Sequence, residues 1–178
     1  MLHDLLRNIT ASLDQKGIQY MISGSLAFNM YCIPRMSMDI DFVIELNEVN
    51  VNDFLEIFKS GYYLDEETVR NEIKKKGMFN VIDHRSGLKM DFIVRKDSEY
   101  RRLEFSRRIH MSLADIPLWM VSAEDLILSK IEWIQLLQSE KQMHDVKMLL
   151  NSPGIDREYI AFWCKKLNLI TFGLLSLQ

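Results

Sequence analysis

Cysteine is scarce in this sequence, and long apolar runs are missing. The two cysteines, Cys32 and Cys164, lie in apolar or helical stretches and form no CxxC pair. That pattern favours buried, reduced thiols over a disulfide framework. No apolar run approaches the roughly 18–20 residues that a transmembrane helix needs. The first ten residues mix acidic and basic side chains in a helical pattern, unlike a signal peptide. We therefore expect a cytoplasmic protein with no membrane partner.

An excess of one charge is also missing. The net charge is −3 over 178 residues, and both signs are mixed along the chain. A protein that coats nucleic acid would normally be basic overall, so that class is disfavoured. Apolar residues make up 48% and charged residues 26%, which excludes a disordered chain and allows a large core. The length fits one domain, with room for a small helical appendage.

Hydrophobic periodicity divides the chain into two parts. Residues 1–121 alternate helical patterns with short apolar runs typical of strands, at 18–23, 38–46, 78–82, 88–94, 108–112 and 118–121. From residue 122 onward only helical patterns occur, and two of them open on capping boxes, Ser122–Asp125 and Ser139–Gln142. The sequence therefore predicts an α/β core over 1–121 and a helical C-terminal extension over 122–178.

Two carboxylates stand in one predicted strand, at Asp39 and Asp41. Alternate side chains of a strand share a face, so these two would point away from an apolar face formed by Met38, Ile40, Phe42 and Ile44. Their Cβ atoms would lie roughly 7 Å apart. Two charges that close are unfavourable without a cation or a shared proton, and Mg²⁺ prefers one or two carboxylates plus phosphates and water. An Asp-x-Asp also arises by chance about half the time in a chain of this length, so a simple loop stays open.

A third carboxylate, Asp91, repeats this pattern in the middle of the predicted strand 88–94. It stands opposite an apolar face and would cost several kcal/mol if buried without a partner, so it either faces water or serves a charge. Asp83 competes for the role, but its neighbours Ser86 and Gly87 are turn formers, which indicates a hairpin residue.

The pair Gly24-Ser25 separates a predicted strand from a predicted helix. Glycine allows φ > 0 or close approach of a ligand, and the free amides that open a helix attract anions. A plain turn with serine as the N-cap explains the same residues. Because the next strand carries Asp39 and Asp41, the spacing would bring a phosphate cradle and the carboxylates together. Arg35 precedes the pair by four residues, and either joins this pocket or lies on the surface.

A lysine, Lys130, falls on the apolar stripe of the predicted helix 123–137. It stands four residues from both Leu126 and Ile134. Its ammonium either extends outward to solvent or enters a pocket where an anion or carboxylate meets it. Asp145 is a candidate partner or an ordinary surface residue.

Other polar residues have simpler interpretations. Arg107 and Arg108 are basic candidates for a position near the acceptor or the phosphates, but they belong to a charged run that we interpret as solvated. His84 and His110 have no partner at metal-binding spacing.

Segments Gly24–Ala27 and Tyr31–Phe42 together resemble the core motif of the polymerase-β-like nucleotidyltransferase superfamily. The form is that of small bacterial members such as the AbiE-type abortive-infection toxins. Cys32 stands where glycine is common in these proteins and Ser37 where threonine is common, differences that bear on loop geometry. The resemblance covers the first ~95 residues by motif and continues more weakly to Lys130.

This resemblance implies a small mixed sheet flanked by helices, with a helical tail. It also implies that Asp39, Asp41 and Asp91 bind Mg²⁺ or Mn²⁺, with Asp91 orienting or deprotonating the attacking hydroxyl. Gly24 and Ser25 would cradle the triphosphate. The implied reaction is attack by an acceptor hydroxyl on the α-phosphorus of a nucleoside triphosphate, with pyrophosphate leaving and two metal ions stabilising the attacking and leaving oxygens.

The same resemblance favours a phosphate-binding role for Lys130 and Arg35. Three functions stay open: a metal-dependent nucleotidyltransferase acting on a protein, RNA or small-molecule hydroxyl, the same enzyme as the toxin opposed by an antitoxin protein, and an inactive module of this fold that senses nucleotide or binds a protein partner. No residue pattern identifies the acceptor.

Overall fold

The computed structural model describes residues 2–37 and 39–176. Its elements in chain order are α1 (Leu2–Gln15), β1 (Tyr20–Ser23), α2 (Gly24–Tyr31), β2 (Asp39–Ile44), α3 (Val51–Ile57), β3 (Tyr62–Tyr63), α4 (Glu66–Lys75), β4 (Met78–Asp83), β5 (Lys89–Val94), α5 (Glu99–Ser106), β6 (Ile109–Leu113), β7 (Ile116–Met120), α6 (Ala123–Leu136), α7 (Glu140–Leu150), α8 (Arg157–Lys166) and a 3₁₀ turn (Leu174–Ser176). No helix within the described ranges is long and apolar enough to cross a membrane.

The strands form one seven-stranded mixed sheet in the order β3-β4-β5-β2-β1-β7-β6. Strand β2 pairs parallel with β5 and antiparallel with β1, and β1 pairs parallel with β7. The predicted mixed sheet flanked by helices is therefore confirmed. Strand β3 was not predicted, since two residues are too short to show a period-2 pattern.

The last two strands differ from the sequence expectation. Their turn lies at Ala114 and Asp115, both with positive φ, and Pro117 lies inside β7 opposite Ser112 instead of breaking the strand. Proline lacks an N–H and is tolerated where a strand has no partner on that side. Strand β1 pairs with β7 only at Met120, so it does not reach Pro117.

Strand β2 shows the alternation that the sequence predicts. Ile40, Phe42 and Ile44 are buried, whereas the positions between them are half-exposed. Met38, expected on the same apolar face, lies outside the described residues. Phe42 stacks on Phe92 of β5 with ring centroids 4.9 Å apart. Burying such a side chain contributes about 1.5–3 kcal/mol, so this packing holds β2 and β5 in one register.

The helices after residue 122 pack on the sheet layer and on each other. The serine of each predicted capping box caps its helix: Ser122 accepts from the backbone N–H of Asp125, and Ser139 from that of Gln142. One buried hydrophobic cluster runs from α1 to the 3₁₀ turn and includes residues of both parts. The division into units at residue 122 stays a prediction.

The interpretation of Arg107 and Arg108 as solvated charges was wrong. Arg107 Nε donates to Oδ2 of the fully buried Asp125 at 3.0 Å, and its guanidinium lies over the Tyr159 ring. Arg108 lies over the ring of Trp119. These arginines join the end of α5 to α6, α8 and the sheet, because a buried carboxylate needs a partner.

Candidate active site

The parallel register of β2 and β5 places two carboxylates side by side. Asp41 stands opposite Asp91, and Asp39 stands opposite Lys89. Since side chains two residues apart share a face, these residues form a four-membered array on one face of the sheet. The opposite face of both strands is buried in the core.

The absence of a side chain at Gly24 leaves room for the Asp41 carboxylate. Strand β1 pairs Ser23 with Asp41, and the chain then turns at Gly24 with φ +60°. A Cβ on Gly24 would lie 1.8 Å from Asp41 Oδ2, so any larger residue there would displace this carboxylate. Burial raises the pKa of Asp41, and the negative charges of Asp91 and Asp39 raise it further, while the nearby Ser25 backbone N–H acts in the opposite direction.

The buried carboxylate of Asp145 pairs with two cationic side chains. Its carboxylate accepts from Arg35 Nε at 3.0 Å and Nη2 at 2.7 Å, and from Lys130 Nζ at 2.8 Å. Burial alone would raise the pKa of Asp145, but the hydrogen bonds from Arg35 and Lys130 hold it below the usual value. Burial lowers the pKa of Lys130, an effect that its bond to Asp145 opposes.

The structure thus resolves two alternatives left open by the sequence. Asp145 is the partner of Lys130, which lies in a pocket instead of extending to solvent. Arg35 is not a free surface arginine, since Asp145 binds it and its Nη2 also donates to Ser25 Oγ at 3.0 Å. One negative and two positive charges leave this cluster with a net positive charge.

Asp91 has two partners that sequence reasoning missed. Lys89 Nζ lies 2.8 Å from Asp91 Oδ2 and 3.9 Å from Asp39 Oδ1, and the Asn80 amide donates to Asp91 Oδ1. Strand alternation could have identified Lys89, because it stands two residues before Asp91. Asn80 required the register of the β4–β5 hairpin. Asp83 is the hairpin residue that we predicted, since its carboxylate accepts from the Ser86 backbone N–H at 2.9 Å.

Part of the array and part of the cation cluster line one cleft of about 400 Å³, whereas Asp39, Lys89, Arg35 and Asp145 do not line it. Gly24, Ser25, Asp41, Asp91 and Lys130 all line it. The cleft continues along α6 into a wider region lined by Met78, Ile93, Lys96, Arg101, Glu132, Trp133 and Leu136. This region combines apolar side chains with both charge signs, which suits a ligand with a planar or apolar part and polar edges.

The carboxylates suit a hard divalent cation in their chemistry. No three acidic, histidine or cysteine side chains within 2–37 and 39–176 already form a ready-made metal cluster. Asp39, Asp41 and Asp91 nevertheless offer only oxygen donors, and their mutual repulsion raises the pKa of Asp41. Mg²⁺ needs one or two protein carboxylates when substrate phosphates supply other ligands. The donor set therefore fits Mg²⁺ or Mn²⁺.

Solved structures with a similar arrangement of strands and helices include proteins named as nucleotidyltransferase-like or as adenylyltransferases. The antibiotic-resistance factor ANT(2'')-Ia is similar at TM-score 0.64 and 14% identity, covering 93% of this chain and 90% of that one. An antigenic nucleotidyltransferase-like protein from Paracoccidioides brasiliensis gives 0.58 and 15%, covering 97% and 91%. The lincosamide antibiotic adenylyltransferase LnuA gives 0.52 and 12%, covering 80% and 92%. Likenesses at these identities establish the fold.

Sequence comparison identifies the family. A search of curated proteins gave no match. A family model described as the nucleotidyl transferase AbiEii toxin of type IV toxin–antitoxin systems matches residues 4–169. The resemblance carried by residues 24–42 is confirmed, and the protein is an enzyme of the nucleotidyltransferase class. The chain therefore belongs to the AbiEii family of nucleotidyltransferase toxins.

Proposed function

We propose that this nucleotidyltransferase uses Mg²⁺ or Mn²⁺ to move a nucleoside monophosphate from a nucleoside triphosphate to a hydroxyl acceptor, and that it acts as a toxin countered by an antitoxin protein. The observation that carries the proposal is the Asp41–Asp91 pair, in register across β2 and β5, in one cleft with Gly24 and Lys130. The family supports the enzyme over the inactive module.

The triphosphate would lie between the start of α2 and Lys130. Gly24 and Ser25 open that helix, whose first amides favour an anion. Lys130 lines the cleft, and Asp145 orients it while leaving the cluster positive. Arg35 does not line the cleft, so it would act on the phosphates through its bonds to Asp145 and Ser25. The helix amides and Lys130 suit phosphate oxygens.

The chemical step would take place at the carboxylates. Asp39, Asp41 and Asp91 would hold the divalent ions, which supply charge neutralisation at the attacking and leaving oxygens. Asp91, oriented by Asn80, would accept the proton of the acceptor hydroxyl. The hydroxyl oxygen would then bond to the α-phosphorus as the bond to the bridging oxygen breaks, and pyrophosphate would leave. The acceptor is a hydroxyl of a protein, an RNA or a small molecule.

The test is transfer of label from each of the four α-³²P-labelled nucleoside triphosphates, with Mg²⁺ or Mn²⁺ and cell extract. We expect labelled products with the wild type, and a loss of at least ~10³-fold in Asp41→Asn and Asp91→Asn, because both contact the reacting groups. Asp53→Asn is the matched control, since Asp53 is an exposed carboxylate paired with Lys16.

Expression in cells provides a second test. Wild-type protein should arrest growth, and Asp39→Asn should relieve the arrest. Label transfer that is unchanged in both Asp41→Asn and Asp91→Asn would contradict the proposed site.

A further inference from the structure

The only lysine of the four-membered array stands where a metal ion would need to bind. Lys89 lies on β5 opposite Asp39 and two residues from Asp91, on the same sheet face as the carboxylates. We propose that Lys89 is an internal cation that occupies the carboxylate site in the free enzyme, and that binding of nucleotide displaces it so that divalent metal binds together with the triphosphate. The inference rests on the proposed function.

Both carboxylate oxygens of Asp91 already accept a hydrogen bond. Lys89 Nζ donates to Oδ2 at 2.8 Å, and the Asn80 amide donates to Oδ1. Mg²⁺ bound to Asp91 would lie about 2.0–2.1 Å from one of these oxygens. At Oδ2 it would stand close to the Lys89 ammonium, and the two positive charges would repel each other. Asn80 approaches the other oxygen from β4 and is neutral, so it does not compete by charge.

Lys89 also changes the charge of the array. Three carboxylates and one ammonium sum to −2, whereas the carboxylates alone sum to −3. An ammonium about 4 Å from a divalent ion opposes binding even in a water-like medium, by roughly tenfold or more in affinity. The free enzyme should therefore bind Mg²⁺ or Mn²⁺ weakly.

A nucleoside triphosphate would remove this barrier. The Lys89 side chain is 39% exposed and flexible, so its ammonium can leave Asp91 without moving β5. The triphosphate would bring several negative charges to the cleft that Asp91 lines, and would offer the displaced ammonium a new partner. Metal and nucleotide would then bind with positive cooperativity, which keeps the carboxylates paired until substrate is present.

The test is a titration of the wild type and of Lys89→Met with Mn²⁺, in which electron paramagnetic resonance measures the free Mn²⁺ that remains. Without nucleotide, Lys89→Met should bind Mn²⁺ at least ~10-fold more tightly than the wild type. With saturating α,β-non-hydrolysable triphosphates, tested in turn, that difference should shrink to less than ~3-fold, because the wild-type lysine is then displaced. Lys89→Gln, which keeps a polar group, serves as a second variant should the first fail to fold. Lys59→Met is the control, since Lys59 is exposed and does not line the cleft.

The outcomes separate this inference from the function it rests on. Equal Mn²⁺ affinity of the free wild type and the Lys89 variants would overturn the role of Lys89 while leaving the enzyme proposal intact. A wild type that binds no Mn²⁺ even with triphosphate present would overturn the metal-dependent function itself. A purely structural ion pair would lower the thermal stability of the variants and leave their Mn²⁺ affinity unchanged.

Discussion

Replacing Gly24 with alanine should remove activity through one contact, that with Asp41. The new Cβ would lie 1.8 Å from Oδ2, 2.5 Å from Cγ and 3.0 Å from Cβ of Asp41, so the whole carboxylate must move. Alanine at φ +60° adds about 1–2 kcal/mol of backbone strain. Moving the carboxylate adds an overpacking cost of about 1–3 kcal/mol. The sum is a loss of roughly 2–5 kcal/mol in the free energy of unfolding.

The effect on activity should exceed the effect on folding. A displacement of about 1 Å at a reacting group costs on the order of 10²-fold in rate. The assay is urea unfolding followed by fluorescence, combined with label transfer per folded molecule at a temperature where the variant is fully folded.

Gly87→Ala is the matched control for this prediction. Gly87 also has positive φ, +70°, in the β4–β5 hairpin, but nothing lies within 4 Å of the Cβ position. The control should lose only the backbone term of about 1–2 kcal/mol and retain full transfer activity. If Gly24→Ala loses no more stability than Gly87→Ala and still transfers label, then Gly24 does not position Asp41 and the reasoning is refuted.

Three further predictions test other parts of the structure. Asp145→Asn should lower the free energy of unfolding at pH 7 by about 3–5 kcal/mol, because it leaves two cations without their buried counter-ion. The folded pKa of Asp145 lies below its ordinary value of 3.8, so its contribution is present above that pH and is lost as pH falls through the lower folded pKa. The difference in unfolding free energy between wild type and Asp145→Asn should therefore narrow below about pH 4, and a constant difference down to pH 2 would contradict the pairing. Trp133 is half-exposed in the cleft, so nucleoside triphosphate should quench its fluorescence, and Trp133→Phe should abolish most of the quenching; quenching that survives would place the nucleotide elsewhere. Burial raises the pKa of the Cys164 thiol to about 11, so at pH 8 a disulfide exchange reagent should modify Cys32 first and Cys164 only after unfolding; a single fast phase of two thiols would refute the burial of Cys164.

The sequence by itself determined the features that depend on local periodicity. Strand alternation predicted that Asp39 and Asp41 share a face, and Asp41 indeed alternates with buried neighbours in β2. The helical repeat predicted that Lys130 lies on an apolar stripe, and the capping pattern at Ser122 predicted the start of α6. These properties follow from the backbone geometry of a few consecutive residues, so they can be read without knowing what the segment packs against.

Only the tertiary structure decided which residues meet across the fold. The contact of Lys89 with Asp39 joins residues 50 positions apart and depends on the register of β2 and β5. Arg35 pairs with Asp145, which lies 110 residues away in the sequence. No local pattern encodes such pairings, because they are selected by the packing of buried faces such as Phe42 on Phe92. The sequence therefore identified the three carboxylates and named Arg35 and Lys130 as candidate cations, whereas the fold alone decided which carboxylate each cation pairs with.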